Sequence, residues 1–541
     1  MNKKTYLLLL AAVLTFSTTL KAQWFTNCNY VGAMDATTDW TKTWANWTPQ
    51  TTIYTTTNKT VSGDITSSQT WTKNDVVLLS GFVYVKNGAT LTIEAGCVIR
   101  GDKATKGTLI ITRGSKLIAN ATVTEPIVFT SNEAAGGRNY GDWGGLIILG
   151  KAKINPAGGT AAIEGGVDNA NGDGQYGGTD NADNSGSLKY VRIEFPGIAF
   201  QPNSEINGIT MGGVGSGTMI DWVQVSYSGD DSYEWFGGTV NAKHLIAFRG
   251  WDDDFDTDFG YSGNVQFGVS LRDSAVADQS GSNSFESDND GTGSTNSPFT
   301  SAIFSNFTVI GPKVNLTNPI NNNFKRAAHI RRNSRVSIYN SIFTGFPTGL
   351  LVDGTTTLAN LNANDFQFEN NMTAGCTKYT DTAGMKGATF DVKAWFDATA
   401  KGNRHLTLSA DANLTDPFNY NAPDFRPTSG SPAMSGYSYK NSRLVGYNNL
   451  LVNEVEALNL DGLYPNPATE NVNLNVYANA SGQLTINLFD AAGARVMTQA
   501  SPMNNGLNTM TLNTNTLPQG VYFLNGTMNG SSFTKRLVIV K

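Results

Sequence analysis

From about residue 75, apolar and polar positions alternate in short runs, such as Leu91/Ile93 and Leu109/Ile111, broken by Gly, Asn or Pro. A period of two over four to eight residues predicts strands with one buried side, and the breakers predict turns between them. The pattern recurs in VVLLSGFVYVKNGATLTIEAGCVIRG, in GTLIITRGSKLIANATVTEPIVFTSN and in DWGGLIILGKAKIN. No stretch carries the 3.6-residue period of a long amphipathic helix. Strands this short cannot bury their apolar sides alone, whereas stacking them as rungs of a solenoid lets each rung cover the one before it. The expected fold is therefore all-β, a right-handed parallel β-helix over residues 75–450. A string of β-sandwiches has similar turn spacing and stays open on spacing alone.

The flanks read differently. Residues 1–22 have a basic start (Lys3, Lys4), an apolar run from Tyr6 to Phe16 and small or polar residues before Gln23, the layout of a signal peptide. The run is shorter than the ~20 apolar residues of a membrane span, so the mature chain is expected to be exported without a transmembrane segment. Residues 23–74 are expected to form an N-terminal segment or cap, and 451–460 a short acidic linker. In 461–541 alternation returns at Val472/Leu474/Val476 and Leu484/Ile486/Leu488, which predicts a small Ig-like antiparallel β-sandwich.

Composition agrees with many strands and turns: only 15% of residues are charged, and 57 are Gly. The net charge is −6; without Lys3, Lys4 and Lys21, 35 basic residues face 44 acidic ones. Such a balance argues against nucleic acid, which needs a clustered basic face. The cysteines Cys28, Cys97 and Cys376 are too few for a disulfide framework or a zinc site. One Cys28–Cys97 bridge and three free thiols are both open.

GATLTIEAGCVIRG and TLIITRGSKLIA…EPIVFTS resemble the opening rungs of bacterial right-handed parallel β-helix proteins, and PDFRPTSGSPAMSGY resembles their usual last rung. The last 80 or so residues resemble the type A C-terminal sorting domain of the Bacteroidetes type IX secretion system. The matching residues are Tyr464-Pro465-Asn466-Pro467, Leu488-Phe489-Asp490-Ala491-Ala492-Gly493, Gly520-Val521-Tyr522 and Lys535–Lys541. That resemblance implies export by the type IX machinery, then surface anchoring or release. Asp273-Ser274-Ala275 and Asp381-Thr382-Ala383 resemble O-glycosylation triplets of the same phylum.

The chemistry concentrates in RGWDDDFDTDFGYSG, with five aspartates in positions 252–258. A 22-residue offset lays Val223 on Leu245, Val225 on Ala247, Asp230 on Asp252, Asp231 on Asp253, Glu234 on Asp256 and Gly238 on Gly260. SGDDSYEWFGG and RGWDDDFDTDFG are thus expected at one corner of two consecutive rungs. FESDNDGTG, with Glu286, Asp288 and Asp290, is a less regular third copy. Rungs stack at ~4.8 Å, and like charges at ~4 Å repel by about 4 kcal/mol at an effective dielectric of 20. Bound hard cations or protonation must relieve this; turn aspartates capping their own backbone are the simpler alternative. The expected cofactor is Ca2+, with candidate ligands Asp230, Asp231, Glu234, Asp252, Asp254, Asp256, Asp258 and Asp288. Alternation puts Asp252, Asp254, Asp256 and Asp258 on one side. The loop Val167–Gly186 is a weaker calcium candidate, and Arg331, Arg332 and Arg335 either balance the acids or solvate a face.

Aromatic residues interleave the acids, and Tyr233, Trp235, Trp251 and Tyr261 are candidate platforms for sugar rings. Gly229-Asp230-Asp231 resembles the GDD word of polygalacturonases, and Arg249 and Arg272 the arginines of calcium-dependent pectate lyases. That resemblance makes Asp230, Asp231, Arg249 and Arg272 catalytic candidates, to which the acidic run itself adds Asp254. It is incomplete, because the companion His word is missing and His244, His329 and His405 sit in unrelated contexts. Three readings stay open: a calcium-supported binder of an extracellular polysaccharide or surface polymer, a polysaccharide lyase or glycoside hydrolase, and a non-catalytic structural adhesin.

Overall fold

A computed structural model describes residues 24–201, 204–384, 390–444, 458–478, 481–490, 493–504, 506–528 and 531–541. The expected signal peptide and most of the expected linker lie outside the described residues. Residues 21–446 and 447–541 fall into separate compact units.

In the first unit 26 strands form one continuous sheet, and their neighbours pair in parallel. Met219–Ser226 pairs with Asn241–Phe248, then Asn264–Leu271, then Ile303–Ile310. A second column stacks Tyr233–Phe236, Phe255–Asp258, Phe285–Ser287 and Arg326–Ile330. This is a parallel β-helix, and alternation along each strand fills its interior. Tyr233, Phe255 and Phe285 stack at ring-centroid distances of 5.5 and 5.1 Å, and Trp235 stacks on Tyr261 at 5.2 Å. Each large ring thereby covers the ring below it, which burying one rung alone would not achieve.

One corner repeats a left-handed backbone at Tyr190, Trp222, His244 and Phe267, with φ of 53, 58, 51 and 64°. Left-handed conformation costs roughly 1–2 kcal/mol for a residue with a Cβ. Stacking offsets that cost: ring centroids are 5.1 Å apart for Tyr190–Trp222, 3.8 Å for Trp222–His244 and 5.0 Å for His244–Phe267. His244 Nδ1 also lies 2.7 Å from Asp221 Oδ1.

Residues 24–55, expected at an end of the array, run along its flank. Val31 N donates to Ala433 O at 2.8 Å and Gly32 N to Asn340 O at 2.7 Å. Gln266 brackets the Thr26 backbone with two 2.7 Å hydrogen bonds, and Gln224 brackets Asn46 with two of 2.8 Å. Arg138 Nη1 reaches Pro49 O at 2.7 Å. Trp44 is fully buried, edge-on to Tyr190 and Trp222. Chain that comes first in sequence thus packs on middle rungs, through Gln224 and Gln266, and on late positions such as Asn340 and Ala433.

The second unit is the expected sandwich. Leu458–Tyr464, Asn471–Ala478 and Gly506–Asn513 form one antiparallel sheet; Arg495–Met503, Gly482–Phe489, Gly520–Met528 and Ser531–Ile539 form the other. Val472, Leu474, Leu484, Ile486, Leu524 and Leu537 fill its core. All three cysteines are free thiols, so the Cys28–Cys97 bridge does not form.

Trp44→Ala should remove about 3–5 kcal/mol of stability, read as a lowered midpoint in chemical denaturation. Ile53→Ala, at a position 86% exposed on the same flanking segment, should change it by no more than about 0.5 kcal/mol.

Candidate metal centre

The 22-residue register holds in space: Val223 pairs with Leu245, Val225 with Ala247 and Glu234 with Asp256. An insertion then lengthens the step, and Asp256 pairs with Glu286, which pairs with His329. Because Tyr233 and Trp235 point inward, Glu234 points outward, and an outward column Glu234–Asp256–Glu286–His329 follows. At the corner before these strands, Asp231 Oδ1 accepts a hydrogen bond from Asp253 N at 2.8 Å. Asp253 Oδ1 in turn accepts from Asn283 N. Each corner aspartate therefore caps the next rung while its carboxylate also lines the outer face.

Corner and column together enclose a cleft of about 240 Å³. Three overlapping groups of carboxylate oxygens lie within 4.8 Å of one another: Asp230/Asp231/Asp252, Asp231/Glu234/Asp256 and Asp253/Asp256/Glu286. Asn207 Nδ2 donates to both Glu234 and Glu164, the latter at 2.8 Å. Ser280 Oγ donates to Asp252 at 2.9 Å. Glu286 is held by Arg331, by His329 Nδ1 at 3.1 Å and by Asn283 Nδ2 at 3.2 Å. His329 Nε2 lies 3.1 Å from Asp353 Oδ2, so the ring bridges the two carboxylates. Asp256 Oδ1, in the middle of the set, is buried without a hydrogen-bond partner.

Burial pushes the Asp231, Glu234, Asp253 and Asp256 carboxyls well above the ordinary range, and neighbouring carboxylates add to the effect. Asp252 is pushed up to about 6 by burial and by the Asp278 charge. In Glu286 burial acts upward too, but the His329 hydrogen bond and the Arg331 charge outweigh it and hold the carboxyl below its usual value. The cleft is thus a place where negative charge is costly, and Arg331 and His329 compensate it at Glu286.

Several expected site residues lie elsewhere. Asp254 faces away from the cleft and forms a fully buried ion pair with Arg272 at 2.7 Å, so neither belongs to the carboxylate groups. The expected alternation fails there because residues 252–254 form the bend before the strand Phe255–Asp258. Arg249 pairs with Asp273 and lies between the rings of Tyr227 and Tyr420, at 5.0 and 4.7 Å. Asp288 is gripped by Arg331 at 2.8 Å and Arg332 at 2.6 Å, and Asp258 accepts from Phe259 N at 2.6 Å. Tyr233, Trp235 and Tyr261 are interior core rings, not platforms. Trp251, 39% exposed and next to Asp252, is the one of the four that offers a face to solvent. In the Val167–Gly186 loop, protein donors occupy the acids: Asp168 accepts from Gly174 N at 2.9 Å and Asp173 from Lys86 Nζ at 2.8 Å.

Glu164, Asn207, Asp253, Glu286 and His329 line the cleft but were not among the candidate ligands, although the 22-residue offset lays Asp231 on Asp253. For Glu286 a signal exists, since YEWF, FDTD and FESD share an aromatic residue followed by an acid and stack in that order. Glu164, Asn207 and His329 have no such repeat.

A family profile for a pectate-lyase like beta helix domain matches residues 63–412. The chain belongs to the pectate-lyase-like β-helix family. A secretion system C-terminal sorting domain matches residues 462–540. This pectate-lyase-like β-helix is therefore a secreted, cell-surface or extracellular protein, and the sorting domain implies the type IX secretion machinery. A search of curated proteins returned no match. Among solved structures, the enzymatically active domain of tailspike protein 2 of bacteriophage CBA120 aligns at 9% identity over 86% of this chain and 72% of that one, with a TM-score of 0.22. At that score the likeness bears on neither site nor activity.

The donor set of the pectate-lyase-like β-helix fits a hard cation: all three groups offer carboxylate oxygens alone, and one buried oxygen has no other partner. In chelator, Asp252 and Asp258, pushed up to about 6 and about 8 chiefly by burial, hold protons in the folded chain that the unfolded chain releases. Their stabilising contribution is complete below about pH 4 and is lost as pH rises through their folded values. The melting temperature should therefore fall from pH 5 to pH 8 in chelator, and fall less in millimolar Ca2+. Arg272→Met, which leaves Asp254 buried without its partner, should cost about 3–5 kcal/mol. Adding Asp254→Leu should recover most of it in urea denaturation.

Proposed function

We propose that this secreted β-helix binds a divalent cation, Ca2+ in its extracellular setting, in the cleft lined by Asp231, Asp253, Asp256 and Glu286. The cation-bearing face then engages an extracellular polysaccharide or surface polymer. The observation that carries the reading is Asp256 Oδ1, buried among carboxylates without a hydrogen-bond donor. An unpaired buried carboxylate oxygen costs several kcal/mol in its charged form, and a cation removes that cost while coordinating its neighbours. Ca2+ suits the donors because it accepts 6–8 or so oxygens in irregular geometry. Trp251 beside Asp252 supplies an exposed ring on which a sugar face can stack.

A second reading, a glycoside hydrolase, draws support from one contrast. Asp252 is pushed up to about 6, while Glu286 in the same cleft is held below its usual value. Acid and base roles are commonly divided between two such carboxyls.

Titration calorimetry should register Ca2+ binding, and Asp256→Asn should weaken it at least about tenfold, ~1.4 kcal/mol. No heat at millimolar Ca2+ would sink the cation reading. On a polysaccharide panel with and without chelator, the binding reading expects calcium-dependent retention with no new reducing ends or unsaturated products. A structural adhesin would lose thermal stability on chelation without any change in retention. Product formation abolished by Asp252→Asn would favour the hydrolase.

A further inference from the structure

The outward column that crosses the cleft extends beyond it at both ends. Before Glu234 it runs through Tyr84, Ile110, Ile147 and Thr210, and after His329 through Leu351 and Asp381. Outward positions of a β-helix face solvent unless something covers them, yet Tyr84, Ile110, Ile147 and Thr210 are all buried. The cover is the segment 154–176, whose Ile154, Ile163, Val167 and Tyr176 pack with Tyr84, Ile110 and Ile147. Tyr84 Oη donates to Val167 O at 2.6 Å inside that contact. Glu164 of the same segment reaches the acidic cleft, where Asn207 Nδ2 ties it to Glu234. The outer face is therefore shut at the Glu234 end of the cleft. At the other end a second cavity of about 220 Å³ continues the column, with Leu351, Asp381 and the exposed Thr382 in its lining. Arg326 lines both cavities. Its guanidinium makes no hydrogen bond or ion pair with any described residue, whereas Arg331 is engaged by Glu286 and Asp288.

We propose that the two cavities form one groove, blind at Glu164 and open at Asp381, that holds the end of a linear carboxylate-bearing polysaccharide and not a stretch from its middle. This rests on the polysaccharide reading above and specifies which part of the polymer is bound. From Glu234 to Asp381 the column makes five rung steps, about 24 Å in all, which is room for several sugar residues in line. A polymer lying inward from Asp381 meets the packed segment 154–176 and must stop there. Its terminal sugar then lies among the carboxylates of Glu234 and Asp256, which accept hydroxyl hydrogen bonds or share a cation with it. An internal sugar cannot take that place, because its chain would have to continue through the cover over Ile147 and Tyr84. Further out the acids give way to Arg326, whose planar fork matches a carboxylate with two parallel hydrogen bonds. A sugar carboxylate at that point supplies the partner that the protein does not.

The test uses the full chain in millimolar Ca2+ and two linear carboxylated glycans, polygalacturonate and alginate, each as the long polymer and as a partial hydrolysate. At equal mass of sugar, the protein bound at saturation should rise in proportion to the number of chain ends. Arg326→Ala should weaken retention at least about tenfold without lowering the melting midpoint, since that guanidinium holds nothing in the fold. Saturation that follows mass alone, alike for polymer and hydrolysate, would overturn end binding and leave the polysaccharide reading standing. Retention of neither glycan would overturn the end site, and retention of no polymer on the wider panel would take the polysaccharide reading with it. The saturation of the unaltered chain decides the matter whether or not the variant folds.

Discussion

Parallel rungs about one hydrogen-bond spacing apart, ~4.8 Å, impose a single rule on this molecule: whatever stands at one position stands directly on its counterpart in the next rung. For apolar residues the rule is favourable, and Tyr233, Phe255 and Phe285 make a continuous ring stack in the interior. For carboxylates it is costly, and Glu234, Asp256 and Glu286 make a column of like charge on the outside. The same register produces both the stability of the core and the electrostatic load of the cleft. That load is what makes the cleft a candidate metal centre, with Arg331 and His329 holding its Glu286 end.

The fold tolerates the load by supporting it elsewhere. Asp254 is neutralised inside the wall by Arg272, and Asp288 is taken up by Arg331 and Arg332. Along the flank, residues 24–55 bind rungs that are distant in sequence, through the Gln224 and Gln266 amides and the Trp44 indole.

Much of the site was legible because a solenoid turns sequence spacing into spatial stacking. The 22-residue offset placed Glu234 on Asp256, and the pairing of Val223 with Leu245 shows why the offset works. It failed where the chain inserts a loop, since residues 274–282 lengthen the step from Asp256 to Glu286. It failed again at the bend 252–254, where strand alternation does not apply and Asp254 turns away from its neighbours. The aromatic residues misled for a related reason: in a column whose acids face out, the residues on either side of each acid must face in.

Hydrophobic alternation, turn residues and the terminal motifs by themselves determined an all-β helix followed by a sorting domain, because period and punctuation are local properties of the chain. Local pattern also determined that acids of consecutive rungs would meet. Only the tertiary structure decided which acids converge, because that depends on loop length and on bends that sequence does not encode as a period. It alone brought Glu164, Asn207 and His329 to the cleft, since their positions follow from separate turns of the helix. The flanking segment was likewise invisible, as its partners lie as far away in sequence as Ala433 and are chosen by shape and hydrogen bonding, not by any repeat.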